Sequence, residues 1–179
     1  MTDGSPKIIS RELLYETPYN QIYKVKADFG PFSKEYFVTE SGQKAGIVLV
    51  HENSILLVRQ YRLLTNQQSW EVAGGKIDDA ETPEEGAIRE CLEETGMKCH
   101  SLKSLLTYQQ GMDAFHTPTH LFYTEDISKQ SDFSPCAGEI ESIEWIPLTQ
   151  CIEMITSGEI VDSFTIIALL AYQLKTQQL

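Results

Sequence analysis

Two apolar runs, Ile47–Val50 and Ile55–Val58, stand on either side of the polar stretch His51-Glu52-Asn53-Ser54. That spacing predicts a β-hairpin. Neither run alternates with polar residues, so both strands are expected to be covered on both faces. Around them, Trp70-Glu71-Val72 reads as a short strand entering a Gly74-Gly75 turn. Residues 102–108, 120–124 and 143–146 are further strand candidates. Residues 148–156, after Pro147, read as a helix. Residues 162–175 read as a closing helix, with Ile166, Ile167, Leu169, Leu170 and Leu174 forming its apolar face. Mixed strands with a few helices predict an α+β or α/β sandwich fold.

The N-terminal stretch differs. Residues 8–26 are rich in β-formers, with Tyr15, Tyr19, Ile22, Tyr23 and Val25 spaced by turn residues. Gly30 and Pro31 interrupt the run, and residues 34–39 read as a returning strand. Such a small antiparallel β unit is too small to be stable alone, so it must pack on the main domain or on a second chain. The expected division is a β unit over 1–41 and a main domain over 42–179.

At 179 residues the chain suits one domain with a modest appendage. A net charge of −12 repels nucleic-acid backbones and anionic membranes, but it does not bar a small anion bound through a divalent metal. No run of about 18 apolar residues is present to cross a membrane. Residues 1–6 are polar and lack a signal-peptide core. Cys91, Cys99, Cys136 and Cys151 show no C-x-x-C pair, and His51, His100, His116 and His120 lack metal-site spacing. Reduced thiols and a cytoplasmic location are the expectation.

Six glutamates crowd the stretch from Glu81 to Glu94, against one arginine, Arg89. Thr82 as N-cap, Pro83 at the first helical position and Glu85 three residues after the cap predict a helix start. Gly96 fits the stop, giving a helix over about 83–95. Glu84 and Glu85 sit favourably at the positive end of the helix dipole. Glu90, Glu93 and Glu94 do not. Their i, i+3, i+4 spacing places three like charges on one side of the last two turns, at the negative end of the dipole. A divalent cation relieves both conflicts, and Mg²⁺ takes carboxylate oxygens while keeping waters that phosphate can replace.

The complete pattern runs Gly75, five residues, Glu81, seven residues, then Arg89-Glu90-Cys91-Leu92-Glu93-Glu94-Thr95-Gly96-Met97. It resembles the Nudix box, G-x5-E-x7-R-E-U-x-E-E-x-G-U, with every fixed position filled. The resemblance implies a Nudix-type α/β/α sandwich with a mixed β-sheet, in which the box forms a loop–helix–loop. It implies hydrolysis of a nucleoside diphosphate linked to another group, with Mg²⁺ or Mn²⁺ as cofactor. On that basis Glu90 and Glu94 are the main metal ligands, with Glu93 beside them. Glu81 supports the site or a second metal, and the Gly74 carbonyl completes the coordination. Arg89 orients the glutamates. A glutamate outside the metal's immediate ligands, Glu93 among them, is the candidate proton acceptor.

Val58-Arg59-Gln60-Tyr61-Arg62, followed by the stretch from Trp70 to Glu81, resembles the ADP-ribose pyrophosphatase branch of that family. The branch implies a homodimer built through the N-terminal β unit. It also implies Arg59 and Arg62 as phosphate contacts. Glu71 is read as a partner of a nucleotide edge or of Arg59, or as a structural residue. The stretch Cys136–Leu148 resembles the branch's acidic loop, with Glu139 the first candidate for general base and Glu141 the second. Ala73 and Ala80 stand where relatives of that branch carry proline and glycine. The segment from Tyr108 to His120 replaces the branch's S-P-G, keeping only Gly111, a substrate-pocket candidate. Tyr108, Phe115, His116 and His120 are candidates for stacking on a base.

The leading reading is therefore a metal-dependent hydrolase of a nucleoside diphosphate sugar, ADP-ribose first and GDP-mannose next. Hydrolysis of dinucleoside polyphosphates or dinucleotide cofactors is the alternative within the fold. A Nudix module that binds a nucleotide sugar without cutting it is the alternative of another class. RNA decapping fits poorly with the acidic composition.

Overall fold

The computed structural model describes residues 5–130 and 140–177. Its strands and helices are, in order, β1 (Lys7–Glu16), β2 (Gln21–Asp28), β3 (Ser33–Glu40), β4 (Lys44–His51), β5 (Ser54–Arg62), β6 (Gln67–Glu71), β7 (Ala73–Lys76), α1 (Pro83–Thr95), β8 (Met97–Cys99), β9 (Lys103–Gln109), β10 (Pro118–Thr124), β11 (Ile127–Lys129), β12 (Ile140–Pro147), α2 (Leu148–Ser157) and α3 (Ser163–Thr176). The chain divides into two compact units. One joins the described residues up to Gln43 with Tyr108–Thr119; the other joins Lys44–Thr107 with the described residues from His120 onward.

The first unit is a three-stranded antiparallel sheet in the order β1-β2-β3. Its apolar side chains are largely uncovered, among them Ile8, Leu13, Tyr15 and Phe37. The segment Tyr108–Thr119 returns to this sheet through backbone bonds. Thr39 N donates to Ala114 O at 2.8 Å, and His116 N donates to Thr39 O at 3.0 Å. Glu40 ties the two parts further, accepting from Arg11 at 2.6 Å and lying 3.0 Å from His116 Nδ1.

The second unit is built on a mixed sheet in the order β12-β5-β4-β10-β9, with β6 on β5 and β7 on β4. The predicted hairpin is β4–β5. Val50 pairs with Ile55 and His51 with Ser54, leaving Glu52 and Asn53 as a two-residue turn with φ of 46° and 64°. Two consecutive positive φ values give the strand twist that a tight hairpin needs. The sheet is covered on both sides, which is why β4 is apolar at every interior position. Ala45, Ile47 and Leu49 share a buried cluster with Ala87 and Cys91 of α1. Successive side chains of a strand point to opposite faces. A Cβ at Gly46, on the other face, would run into the Phe164 ring of α3.

The Gly74-Gly75 pair is not the turn that the sequence reading gives. It lies inside β7, where Gly74 pairs with Gly46 and Gly75 with Ala45 of β4. A Cβ at Gly74 would come within 2.6 Å of Ala45 O and 2.7 Å of Gly46 Cα. Glycine is needed here for close approach of two backbones, which a sequence pattern does not separate from a turn. The short pair β8–β11 was also not foreseen, since three residues carry no periodicity.

Helix α1 starts as its sequence predicts. Thr82 Oγ1 accepts from Glu85 N at 3.2 Å, and Glu85 Oε2 accepts from Thr82 N at 2.8 Å. The helix ends at Gly96, whose φ of 68° is left-handed. The bonds from Thr82 hold the Glu85 carboxyl below its ordinary value of 4.5. Thr82→Ala is expected to lower unfolding free energy by about 1 kcal/mol in urea titrations. Because the folded-state value is depressed, the advantage of wild type over Glu85→Ala should be present above pH 4.5 and shrink as pH falls below it.

Candidate active site

Strand β7, the loop after it and α1 converge on one side chain. Arg89 Nε donates to Glu81 Oε1 at 2.8 Å, and Nη2 donates to Glu81 Oε2 at 2.9 Å and to Lys76 O at 2.8 Å. Its Nη1 donates to Glu90 Oε1 at 2.8 Å and to Glu93 Oε2 at 3.3 Å. One guanidinium thus gathers three of the glutamates and the end of β7. The bonds to Glu81 raise the Arg89 pKa, and the same bonds, with one from Asp78 N, depress that of Glu81.

Glu94 lies outside this fan. Its Oε2 accepts from Gly74 N at 3.1 Å, and its Oε1 stands 3.4 Å from Gln60 Nε2. Burial, opposed by the Gly74 bond and reinforced by the charge of Glu90, pushes the Glu94 carboxyl up to about 7. Burial also raises Glu90, despite its bond to Arg89. Gly75 makes the room. A Cβ there would land on the Glu90 carboxylate, with Cδ at 2.5 Å. Two half-buried carboxylates therefore sit side by side, with one arginine shared among Glu90 and two other acids.

That donor set fits a hard divalent cation, which would remove the cost of holding both carboxylates ionised. Among the described residues no three carboxylate, imidazole or thiol groups converge on a single point for an ion. Arg89 instead holds Glu81 and Glu93 to its own nitrogens. The structure brings Glu94 to Gly74 and Glu90 to the neighbouring Gly75, with Glu81 and Glu93 joined to Glu90 through Arg89.

The remaining candidates divide by strand face. Arg62 Nε donates to Glu71 Oε1 at 2.7 Å, and Arg62 Nη2 pairs with Glu71 Oε2. Glu71 is buried while the Arg62 side chain is half exposed, and this two-pronged ion pair raises the Arg62 pKa. The sequence reading offered a bond to Arg59 as one of three roles for Glu71, beside a nucleotide edge and a structural one. The register corrects it: Val58 opposes Glu71, so alternation puts Gln60 and Arg62 on the Glu71 face and turns Arg59 to the other. Arg59 lies over the Trp70 ring at 5.6 Å, with Nε 3.6 Å from Glu141 Oε2. Gln60, which the sequence reading passed over, is 7% exposed and faces Glu94. Its place two residues before Arg62 on the strand was the available signal.

Gly111 belongs to the other unit. Its φ is 48°, and its carbonyl accepts from Ala114 N and Phe115 N, each at 2.9 Å. His116 is engaged by Glu40 at 3.0 Å. Glu139 and Cys136 lie outside the described residues. Cys91, Cys99 and Cys151 carry free thiols, with Cys91 Sγ 3.3 Å from Cys99 Sγ.

Residues 41–163 match the NUDIX domain model, and the chain belongs to that family. It is a Nudix hydrolase. It is 32% identical over 142 residues to a CMP-5'-(N-acetyl-N-hydroxy-3-aminopropyl)phosphonate hydrolase of Streptomyces rubellomurinus, covering 79% of this chain and 68% of that one. It is 26% identical over 172 residues to an ADP-ribose pyrophosphatase of Bacillus subtilis, covering 94% of this chain and 93% of the relative. A crystal structure of an ADP compounds hydrolase superposes with a TM-score of 0.83 at 18% identity, over 97% of this chain and 95% of that one. The likeness confirms the fold. No helix among the described residues is long and apolar enough to cross a membrane.

Gly75→Ala tests the packing of the site. The added methyl should cost about 1–3 kcal/mol in thermal or urea unfolding by displacing the Glu90 carboxylate. Turnover should fall further than the lost stability explains, since the variant remains folded at assay temperature.

Proposed function

We propose that the chain hydrolyses the diphosphate bridge of a nucleoside diphosphate sugar, ADP-ribose first and GDP-mannose next, to a nucleoside monophosphate and a sugar phosphate. The observation that carries this reading is the Glu90–Glu94 pair, buried enough to raise both carboxyls and lacking a full complement of positive charge. A likeness to an ADP-ribose pyrophosphatase over nearly the whole of both chains supports the substrate class.

Glu90, Glu94 and the Gly74 carbonyl would hold Mg²⁺ or Mn²⁺, with Glu81 and Glu93 beside them. When bound, such a cation offsets charge on the bridging diphosphate and makes a water more acidic. The chain's own groups do the rest. Arg89 fixes the direction of Glu81, Glu90 and Glu93, and Gly75 leaves room for the Glu90 carboxylate. Water adds its oxygen to one phosphorus as the P–O bond of the bridge breaks, and the water proton must pass to a base. Glu93, half exposed and 3.3 Å from Arg89, is one acceptor; Glu139 is the other. Arg62 and Glu71, on the strand face shared with Gln60, are read as the substrate side.

The uncovered apolar residues of β1–β3 support a homodimer formed through the N-terminal unit. Free thiols suit a reducing cytoplasm.

The test is a panel of nucleotide sugars, dinucleotides and dinucleoside polyphosphates, assayed with Mg²⁺ and Mn²⁺. ADP-ribose or a close relative should be cleaved fastest, with Glu94→Gln keeping its circular dichroism and losing about 10²–10³-fold in kcat. Glu139→Gln should reduce kcat without weakening metal binding. Binding of ADP-ribose with no turnover by wild type would make the chain a sensor instead.

A further inference from the structure

A cleft of about 660 Å³ opens between the β5–β6 turn and the start of α3. Lys44, Arg62, Ser69, Glu71 and Asp162 line it, with Leu64 at its rim. All of them belong to the second unit.

Ser69 is the unexpected feature. It is 2% exposed, and its Oγ has no hydrogen-bond partner among the described residues. Buried hydroxyls are almost always satisfied, so an unsatisfied one facing a cleft marks a place for a ligand group. Ser69 is paired across the strands with Gln60, and Gln60 Nε2 lies 3.4 Å from Glu94 Oε1. The floor of the cleft is therefore one residue pair away from the carboxylates of the candidate active site.

The lining selects the chemistry. Lys44 and Arg62 disfavour a bare cation. Glu71 and Asp162 disfavour a bare phosphate, and Arg62 is already spent on Glu71 through a two-pronged ion pair. Asp162 is likewise engaged, accepting from Thr165 N and Thr165 Oγ1 at 2.8 Å each. A neutral group that both donates and accepts suits such a surface. Its hydroxyls can give protons to the spare lone pairs of Glu71 and exchange a bond with Ser69. A sugar ring meets these terms.

We propose that this cleft seats the sugar of the substrate, and that Ser69 is a specificity-determining residue reading one of its hydroxyls. The inference rests on the nucleotide-sugar reading above and adds the side on which the sugar lies. The phosphates would then lie toward Glu90 and Glu94, and the nucleoside beyond them.

Steady-state kinetics of wild type, Ser69→Ala and Ser69→Thr with ADP-ribose and Mg²⁺ test it, together with the inhibition constant of ADP. Ser69→Ala should raise KM about tenfold, the effect of one lost hydrogen bond, with little change in kcat or in ADP inhibition. Ser69→Thr, which keeps the hydroxyl, should stay near the wild-type KM. Calorimetric titration of wild type with ribose 5-phosphate and mannose 1-phosphate supplies a readout free of turnover. At least one should bind, and more weakly to Ser69→Ala. An equal rise for ADP and ADP-ribose would place the nucleotide in the cleft and overturn the proposal, as would an unchanged KM in Ser69→Ala. If wild type cleaves no nucleotide sugar, the proposed function fails by itself; the inference about the cleft fails only if neither sugar phosphate binds. Should Ser69→Ala not fold, the wild-type titration and Ser69→Thr still decide the matter.

Discussion

The arrangement of this site depends on what one guanidinium does. Arg89 reaches the carbonyl that ends β7, the loop residue Glu81, and two glutamates of its own helix. Without it, Glu81, Glu90 and Glu93 would repel one another across a half-buried surface, and the loop from Lys76 to Thr82 would lose its anchor. Exposed ion pairs contribute little one at a time. Here one cation satisfies four acceptors at a site that is partly shielded, so the pairs act as a network with a common centre. The helix is positioned against the sheet, and the acids are positioned on the helix, by the same group.

The sheet sets the other half of the geometry. β4 is covered by α1 on one face and approached by Phe164 of α3 on the other, so it tolerates neither polar side chains nor, at Gly46, any side chain. The glycine seam between β4 and β7 lets two backbones approach closely, which brings Gly74 N to Glu94 and leaves room for the Glu90 carboxylate beside Gly75. The same strand periodicity sorts the neighbouring polar residues. Gln60, Arg62, Ser69 and Glu71 share the face that leads from Glu94 to the cleft, while Arg59 and Trp70 pair on the reverse. Fold and site are thus joined by register, since a slip of one residue in β5–β6 would send Arg62 and Glu71 to opposite sides.

Much of this was legible in the sequence where a local rule had a local cause. The cap at Thr82, the stop at Gly96 and the hairpin at Glu52-Asn53 depend on residues a few positions apart, and each appears where it was read. The acid crowding at Glu90, Glu93 and Glu94 was legible as a conflict that needs a positive partner. What escaped depends on contacts distant in sequence. The role of Gly74-Gly75 is fixed by β4, some thirty residues upstream, so its pattern looked like a turn. The pairing of Glu71 with Arg62 follows from the register of two strands. The return of Tyr108–Thr119 to β3 runs through backbone groups of Thr39, Ala114 and His116 and through the Glu40–His116 contact, a pairing 76 residues apart that no local pattern announces. The Ser69 hydroxyl, without a hydrogen-bond partner among the described residues, could not be read from a serine in a polar stretch at all.

If Glu90 and Glu94 form one cation site whose remaining charge is set by Arg89, removing both carboxylates should abolish metal uptake. Titration of the metal-free protein with Mn²⁺, followed by electron paramagnetic resonance of the free ion, measures that uptake. Wild type should take up Mn²⁺, and a Glu90→Gln, Glu94→Gln double variant of unchanged fold should lose that uptake. Equal uptake by the folded double variant would contradict the account.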